Sequence, residues 1–346
     1  MTSRPEALSS DPGVERAAAE YVLPLRWNDD TRLDEMTAYL RELAGWVDVT
    51  LVDGSDPHLF AAHQRAWSHL IRHVPPSVSA GGNGKVRGVL TGLAIARYET
   101  VIIADDDVRH TVTTLHELIG ELDDDADLVR PQNVFRPRPW HARWDTARSL
   151  MNRALGHDYP GTYAVRRSAL PDGYDAHVLF ENLEMERTVR ARGGRLKDCP
   201  AIFIERRPPT ARQFWAQRVR QAYDSLAQPS RHVIELSIVP LVLALRRRPA
   251  ALVCVLVGAV LMAEVGRRRG QGRRAFPAGS ALWAPVWVAE RAVTSWIAAA
   301  LRVRGGVRYA GTRILRPATP FRVLRQRVGR LPEKGDRSEP PTRPWC

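Results

Sequence analysis

The chain has 346 residues, with 51 Lys and Arg against 38 Asp and Glu, and three widely separated cysteines. Its 44% hydrophobic content supports a buried core and excludes wholesale disorder. The cysteine spacing, which includes no CxxC pair, excludes a zinc ribbon and a disulfide scaffold. The length predicts two domains or one large domain with an appendage. Because the first twenty residues contain no apolar signal-peptide segment, we expect the folded part to start in the cytoplasm.

The excess of positive charge is confined to the last third of the chain. Residues 231–346 contain 22 basic and 6 acidic residues, a net charge of +16, whereas residues 1–230 carry a net charge of −3. The arginines of the last third alternate with long apolar runs, and the aromatic platforms that stack single-stranded nucleic acid are absent from it. We therefore expect no nucleic-acid partner.

After a predicted disordered tail over residues 1–18, the chain alternates between strand and helix patterns. Apolar or β-branched runs predict strands at 21–25, 46–52 and 100–104, and helical spacing predicts helices at 34–43, 60–74 and 85–98. Further strands are predicted at 128–132 and 162–165, and further helices at 183–192 and 210–226. This order predicts an α/β fold with a mainly parallel sheet and flanking helices, in which ligands bind beyond the carboxyl ends of the strands.

Three consecutive carboxylates, Asp105, Asp106 and Asp107, follow the buried strand at 100–104. Their mutual repulsion requires a cation, and hard carboxylate oxygens suit Mg²⁺ or Mn²⁺. A solvated acidic turn is the alternative, and it fits the second aspartate triplet at 123–125, which closes a polar helix. The apolar strand before Asp105 favours a metal site at the first triplet.

Together, three features resemble the nucleotide-sugar half of a family 2 glycosyltransferase with the GT-A fold, over residues 19–110. They are Asp53 after a strand, Lys85 in a Gly-Lys pair that opens a helix, and the aspartate triplet. The resemblance implies that Asp53 reads the nucleotide base and that Lys85 belongs to the nucleotide site. It also implies that Asp105 and Asp107 are the ends of a DXD motif, which chelates Mg²⁺ or Mn²⁺ on the diphosphate. Asp106 remains an alternative member of the motif and a nucleotide-binding candidate.

The resemblance continues into the acceptor half. Gly161 and Thr162 lie in a segment that resembles the strand lining the sugar pocket. Where the family has a Glu-Asp pair whose aspartate is the general base, this chain has Asn182, and an amide cannot accept that proton. The base role then passes to Glu181 by preference, or to Glu184. The alternative is that these acids only favour a helix N-terminus through its dipole.

Two further candidates belong to the acceptor and diphosphate site. Gln217 and Arg220 resemble the first part of the QxxRW motif of membrane-integrated members, with Gln221 in place of the tryptophan. Helical spacing places both on one face, where an arginine fork suits a diphosphate. The alternative is a cationic helix on a lipid surface. Trp140 is a candidate for stacking on an acceptor sugar, with loop packing as its alternative.

The last third contains apolar runs at 233–245, 250–266 and 282–301, separated by arginine clusters. Two runs are shorter than the ~20 residues of a membrane span, and the third is charged at its middle, so interfacial or re-entrant helices are favoured over clean spans. The sequence therefore predicts a GT-A domain at 19–230, membrane-associated helices at 231–305, and a basic, partly disordered tail at 306–346.

These features together predict an inverting glycosyltransferase of the membrane-associated type. We expect it to move a sugar from a UDP- or GDP-linked donor to a hydroxyl of a lipid-linked or bacterial cell-envelope glycan. We expect the catalytic domain to lie at the cytoplasmic face of the membrane, in contact with membrane lipid. The alternative is a membrane-docked, non-catalytic GT-A-like protein, which Asn182 and Gln221 favour.

Overall fold

The computed structural model describes residues 16–77, 81–123, 125–309 and 311–329. Most of the predicted N-terminal tail and the end of the predicted C-terminal tail lie outside the described residues. The strands are β1 (Glu20–Leu25), β2 (Asp48–Asp53), β3 (Arg72–Val74), β4 (Thr100–Ala104), β5 (Val108–Arg109), β6 (Leu128–Phe135), β7 (Thr162–Arg166), β8 (Leu196–Arg206), β9 (Val307–Tyr309) and β10 (Thr312–Ile314).

The helices of the described residues are α1 (Leu33–Trp46), α2 (Pro57–Trp67), α3 (Gly84–Ile95), α4 (Val112–Gly120), α5 (Trp140–Leu155), α6 (Glu181–Ala191), α7 (Ala211–Asp224), α8 (Pro229–Leu245), α9 (Pro249–Arg268), α10 (Ala284–Val303) and α11 (Phe321–Val328). Short 3₁₀ turns follow β7 and α7, and two more link α9 to α10.

Eight strands form one mixed sheet in the order β3-β2-β1-β4-β7-β6-β8-β5. Strands β1 to β4, β6 and β8 point the same way, whereas β7 and β5 run antiparallel to their neighbours. The register pairs Leu25 with Asp53, so that the carboxyl ends of β1 and β2 lie side by side at one edge. This arrangement confirms the predicted α/β class with a mostly parallel sheet and flanking helices.

Hydrophobic cores lie on both faces of the sheet. Leu23 packs with α1 and α2 on one face, and Val22 packs with α3 on the other. Strands covered on both faces are expected to be continuously apolar, as β1 is from Tyr21 to Leu25. Helix α3 lies close to the sheet because Gly92 has no side chain: a Cβ there would lie 2.3 Å from Val22. The close approach fixes the first turn of α3 beside the carboxyl ends of β1 and β2.

Several elements differ from the sequence predictions. The helix predicted at 60–74 ends at Trp67, and residues 72–74 instead form β3. The edge of β2 that does not pair with β1 forms backbone pairs with these residues, with Thr50 opposite Arg72. Helix α5 and strands β5 and β8 were not predicted. The sequence of β8 lacks a regular alternation of apolar and polar residues, because it combines polar residues with Pro200. Its pairing with β6 is also irregular, with a shift of register between Arg130 and Gln132.

The C-terminal helices pack onto the rest of the chain. Helix α9 lies along α5, and α10 contacts α5, α7 and α8. Ala259, Ala263 and Gly266 form the buried side of α9, whereas Val257 and Leu261 on its other side are 49% and 60% exposed. By length and composition, residues 249–274 are long and apolar enough to cross a membrane, the one such segment in the described part of the chain. That criterion alone is weak evidence for a span.

Candidate functional site

The main cleft opens at the carboxyl ends of β1, β2 and β4 and has a volume of about 490 Å³. Strand ends supply Leu25, Gly54 and Asp105 to its walls, and α3, α6 and α7 supply further side chains. The β9–β10 hairpin, which lies in the segment predicted as a tail, contributes Tyr309 and Thr312. The cleft is therefore built from parts of the chain nearly 290 residues apart in sequence.

Helix capping places Lys85 in the cleft. The Asn83 side chain accepts hydrogen bonds from the backbone N–H groups of Lys85 and Val86, at 3.1 and 3.4 Å, and starts α3 there. Lys85 then lies in the first turn, and its Nζ lies 2.5 Å from Asp105 Oδ1 and 2.7 Å from Glu181 Oε1. Burial alone would lower the pKa of Lys85, but these two carboxylates raise it above its ordinary value. Lys85 is therefore a fixed positive charge in the cleft.

The aspartate triplet divides between two environments. Asp105 and Asp107 both face Arg206 at the end of β8: Arg206 Nε donates to Asp107 Oδ1 at 2.8 Å, and its Nη2 donates to Asp105 Oδ2 at 3.1 Å. Asp106 points elsewhere, and its Oδ2 accepts a hydrogen bond of 2.8 Å from the Trp27 indole. Asp105 and Asp107 therefore converge, as the two ends of a DXD motif would, although Asp106 also lines the cleft.

The electrostatics of the triplet reflect crowded negative charge. Burial raises the pKa of Asp107 to about 6; Asp105 and Asp106 add to the rise, and Arg206 opposes it. A further cation in the cleft would stabilise the ionised form of Asp107 and lower its pKa.

The converging aspartates suit a divalent cation. Both offer hard oxygen donors of the kind that Mg²⁺ and Mn²⁺ prefer. Gly161 lies directly beside Asp105. Its carbonyl accepts a hydrogen bond from the Asp105 N–H at 2.8 Å, and a Cβ at Gly161 would lie 2.9 Å from Asp105 Oδ2. A larger residue there would fill the space beside the carboxylate. The residues present therefore fit the predicted metal, with Asp105 and Asp107 as its holders.

The two predicted bases have different surroundings. Glu181 begins α6, lines the main cleft and pairs with Lys85. Glu184 is fully buried one turn later, and its Oε2 accepts the backbone N–H of Thr319 at 2.5 Å. Burial raises the pKa of Glu184 despite that hydrogen bond. The structure thus brings Glu181, and not Glu184, to the cleft, and Asn182 donates its amide to Pro160 O at 2.9 Å.

One face of α7 forms a wall of the cleft. Gln217, Arg220, Gln221 and Asp224 recur at helical spacing and all line it. The guanidinium of Arg220 lies 5.1 Å from the centre of the Tyr309 ring, within cation–π range. The predicted grouping of Gln217 and Arg220 on one face is therefore observed, whereas their roles in binding stay predictions.

Asp53 ends β2 but does not line the cleft. Its carboxylate is buried, and its Oδ2 lies 2.6 Å from His63 Nδ1 and 3.1 Å from His73 Nε2. Burial alone would raise the pKa of Asp53, but hydrogen bonds from His73, Ser55 and His63 lower it to about 2. The ligand atoms of Asp53, His63 and His73 lie within 4.8 Å of one another, so this group could also hold a metal ion.

Two other predicted residues lie away from the cleft lining. Trp140 is partly exposed and packs in an aromatic cluster with Trp144, Phe214 and Trp215. Thr162 is buried in β7, and its Oγ1 lies 3.2 Å from His110 Nε2. Their predicted acceptor roles stay predictions.

The comparisons with known proteins bear on this geometry. Residues 47–180, which include Asp53, Lys85 and the aspartate triplet, match the family model described as Glycosyl transferase family 2. The segment is a glycosyltransferase family 2 domain. The predicted enzyme class, a glycosyltransferase, is thereby confirmed. No curated protein sequence matches the chain significantly.

The glycosyltransferase domain also has similar solved structures. A mannosyltransferase from Pyrobaculum calidifontis, in complex with GDP-mannose and Mn²⁺, is 18% identical with a TM-score of 0.47, and the match covers 94% of this chain and 88% of that one. Glucosyl-3-phosphoglycerate synthase from Mycobacterium tuberculosis, in complex with Mn²⁺ and UDP-glucose, is 18% identical with a TM-score of 0.43, and the match covers 62% of this chain and 78% of that one.

Arg206, Asp224 and Tyr309 line the cleft and are among the lining residues that were not predicted as site residues. Arg206 ends a strand that the sequence pattern did not reveal, just before the Pro208-Pro209 break. Asp224 was within reach of sequence reasoning, because it lies seven residues after Gln217 on the same helical face. Tyr309 belongs to the segment predicted as a tail, and its packing against α7 and α10 and its pairing with β10 bring it to the cleft.

Proposed function

We propose that this glycosyltransferase is an inverting enzyme that moves a sugar from a nucleotide-diphosphate donor, UDP- or GDP-linked, to an acceptor hydroxyl. The observation that carries the proposal is the convergence of Asp105 and Asp107 on one edge of the cleft, within a family 2 domain. Aspartates so placed would hold Mg²⁺ or Mn²⁺, which would neutralise charge on the diphosphate.

The chain's own cations supply the rest of the charge stabilisation. Lys85, Arg206 and Arg220 all line the cleft that the diphosphate would enter. When the bond between the anomeric carbon and the diphosphate breaks, negative charge develops on the leaving group, and fixed cations stabilise it without reorganising. The acceptor hydroxyl must lose its proton at the opposite side of the sugar. Glu181 is the sequence-predicted base that lines the cleft.

We further propose that the enzyme works at the cytoplasmic face of a membrane, on an acceptor that is lipid-linked or part of the cell envelope. The exposed apolar side of α9, which includes Val257 and Leu261, supports this placement. Arginine clusters at 246–248 and 267–269 lie at its two ends, where each arginine beside an anionic lipid surface would gain ~1 kcal/mol. The opposite side of α9 packs on α5, which favours a helix lying in the interface over a free span.

The proposal is tested by donor binding and turnover. Calorimetry of the full chain with UDP-glucose and GDP-mannose, each with and without Mn²⁺, should reveal a donor whose affinity depends on the metal. Asp107→Asn removes one charged oxygen donor and should abolish most of that metal dependence while the melting temperature is retained. Metal-independent donor binding by Asp107→Asn equal to wild type would show that the DXD assignment is wrong. Binding of a donor without any turnover would favour the non-catalytic alternative.

A further inference from the structure

A side cavity of about 150 Å³ adjoins the main cleft. Four residues line both spaces and so mark their junction: Glu181, Arg206, Gln221 and Asp224. The side cavity is polar, with Asn182, Tyr159 and Gln228 in its walls. Because the main cleft contains the donor-site residues, a second polar space that opens beside them is suited to the group that receives the sugar.

Asp224 has an unusual position at this junction. It is the last residue of α7, and its Oδ1 is buried with no hydrogen-bond partner among the described residues. A buried carboxylate oxygen without a partner is destabilising unless a ligand or water completes it. Asp224 therefore brings to the junction of the two spaces a carboxylate with an unused acceptor oxygen.

The other carboxylates near the junction are already engaged. Glu181 pairs with Lys85 at 2.7 Å, and Asp105 and Asp107 are bonded to Arg206. Glu184 is turned to Thr319, away from both spaces. Among the described residues that line both spaces, Asp224 is thus the carboxylate without a direct cation contact.

The surroundings of Asp224 tune it for proton transfer. Burial and the negative charge of Glu181 on α6 raise the pKa of Asp224 well above that of an ordinary aspartate. Arg291 on α10, Arg220 on α7 and Arg231 on α8 oppose the rise. A carboxylate whose pKa is raised toward the working pH is a stronger base than an ordinary one, and the arginines keep its ionised form accessible.

We infer that Asp224 is the general base of this transfer and that the side cavity admits the acceptor hydroxyl to its carboxylate, an inference that rests on the proposed function. The O–H bond of the acceptor breaks, and its proton passes to the Asp224 carboxylate. The freed electron pair of the oxygen forms the bond to the anomeric carbon. The bond from that carbon to the diphosphate breaks, and its electron pair leaves with the nucleoside diphosphate. Glu181 acts as a positioning residue, which holds Lys85 and raises the basicity of Asp224.

The inference explains how the chain tolerates Asn182 where the family has its catalytic aspartate. Asn182 lines the same side cavity as Asp224, with its amide bonded to Pro160 O. The carboxylate is supplied from α7 instead of from the start of α6, but to the same cavity.

The test compares Asp224→Asn with wild type in the full-length protein, with Mn²⁺, UDP-glucose or GDP-mannose as donor and water as the acceptor. Release of the nucleoside diphosphate measures turnover, and calorimetry measures donor affinity. We expect Asp224→Asn to lower kcat about 100-fold or more while donor affinity changes less than about threefold. Asp34→Asn, at an exposed position of α1, is the matched control and should leave both values unchanged.

The pH profile separates a base from a merely structural residue. Wild-type kcat should fall on the acid side as Asp224 is protonated, at a pH above the ordinary range for aspartate. Asp224→Asn should lose this acid limb, and Asp224→Glu should restore part of the rate together with a limb at a shifted pH. Glu181→Gln should keep the limb but move it to lower pH, because a neighbouring negative charge is removed.

Two results would overturn the inference. One is an Asp224→Asn enzyme with kcat within about threefold of wild type; the other is a loss of donor affinity in parallel with kcat, which would indicate a structural role. Failure of the proposed function would look different, since wild type would then neither bind nor consume any nucleotide sugar.

Discussion

Arg206 donates through Nε to both carboxylate oxygens of Asp107, at 2.8 and 2.9 Å. The same guanidinium reaches Asp105 through Nη2. One side chain thus connects the two aspartates that the sequence predicts as metal ligands. Because a guanidinium and a divalent cation neutralise the same two carboxylates, Arg206 and the metal compete for them.

The first prediction concerns this competition. Arg206→Gln removes the internal cation, so the affinity of the nucleotide-free protein for Mn²⁺ should increase, by about tenfold if the change is worth ~1.4 kcal/mol. Calorimetric titration with Mn²⁺ measures it. Arg207→Gln, at the next position, removes a guanidinium that contacts Arg136 O and Glu35 and keeps the backbone hydrogen bond to Asp107 O, so it should leave the affinity unchanged. A weaker Mn²⁺ affinity in Arg206→Gln would contradict the competition.

The second prediction separates the two glutamates that the sequence left as alternatives. Glu184→Ala leaves the Thr319 N–H buried without its acceptor, which should lower the free energy of unfolding by about 1–3 kcal/mol. Donor affinity should persist, because Glu184 does not line the cleft. Glu181→Gln, its counterpart at the cleft, should change stability little and reduce turnover. Denaturant unfolding and the turnover assay measure both. A stable, inactive Glu184→Ala protein would return Glu184 to the catalytic candidates.

The sequence was sufficient to predict where the strand-end residues of the nucleotide half lie. Lys85 and the aspartate triplet were predictable because local signals determine their places: an apolar strand before Asp105 and a helix start at Gly84. Arg206 and Tyr309 were not, because their places depend on β8 and β9, whose pairing partners lie far away in sequence or in an unpredicted element. Asp53 shows a third case. Its strand-end position was predicted, but its burial depends on His63 and His73 from neighbouring elements.

The third prediction concerns the exposed side of α9. Leu261→Asp places a charge where the side chain is 60% exposed, so the fold should tolerate it. If that side enters a lipid surface, losing a buried leucine worth about 1.5–3 kcal/mol should weaken binding to anionic vesicles at least tenfold. Vesicle flotation measures the bound fraction. Thr113→Asp, at an exposed position of α4, adds the same charge and should leave binding intact. Equal flotation of Leu261→Asp and wild type would exclude α9 as the lipid-facing surface.

The fourth prediction tests whether α9 is an integral part of the folded enzyme. A Cβ at Gly266 would lie 1.9 Å from the carbonyl oxygen of Leu150, which is backbone of α5 and cannot rotate away. Gly266→Ala must therefore separate α9 from α5, at an expected cost of about 1–3 kcal/mol in the free energy of unfolding.

Gly258 provides the matched control for that substitution, because it lies in the same helix and a Cβ there meets nothing within 4 Å. Gly258→Ala should stabilise the protein by up to about 1 kcal/mol through helix propensity alone. The two alanine substitutions should therefore shift the melting temperature in opposite directions. If α9 instead lay apart from the catalytic part, as an independent span, neither position would be crowded. Both substitutions would then stabilise the helix, and an increase in melting temperature for Gly266→Ala would contradict the packing of α9 on α5.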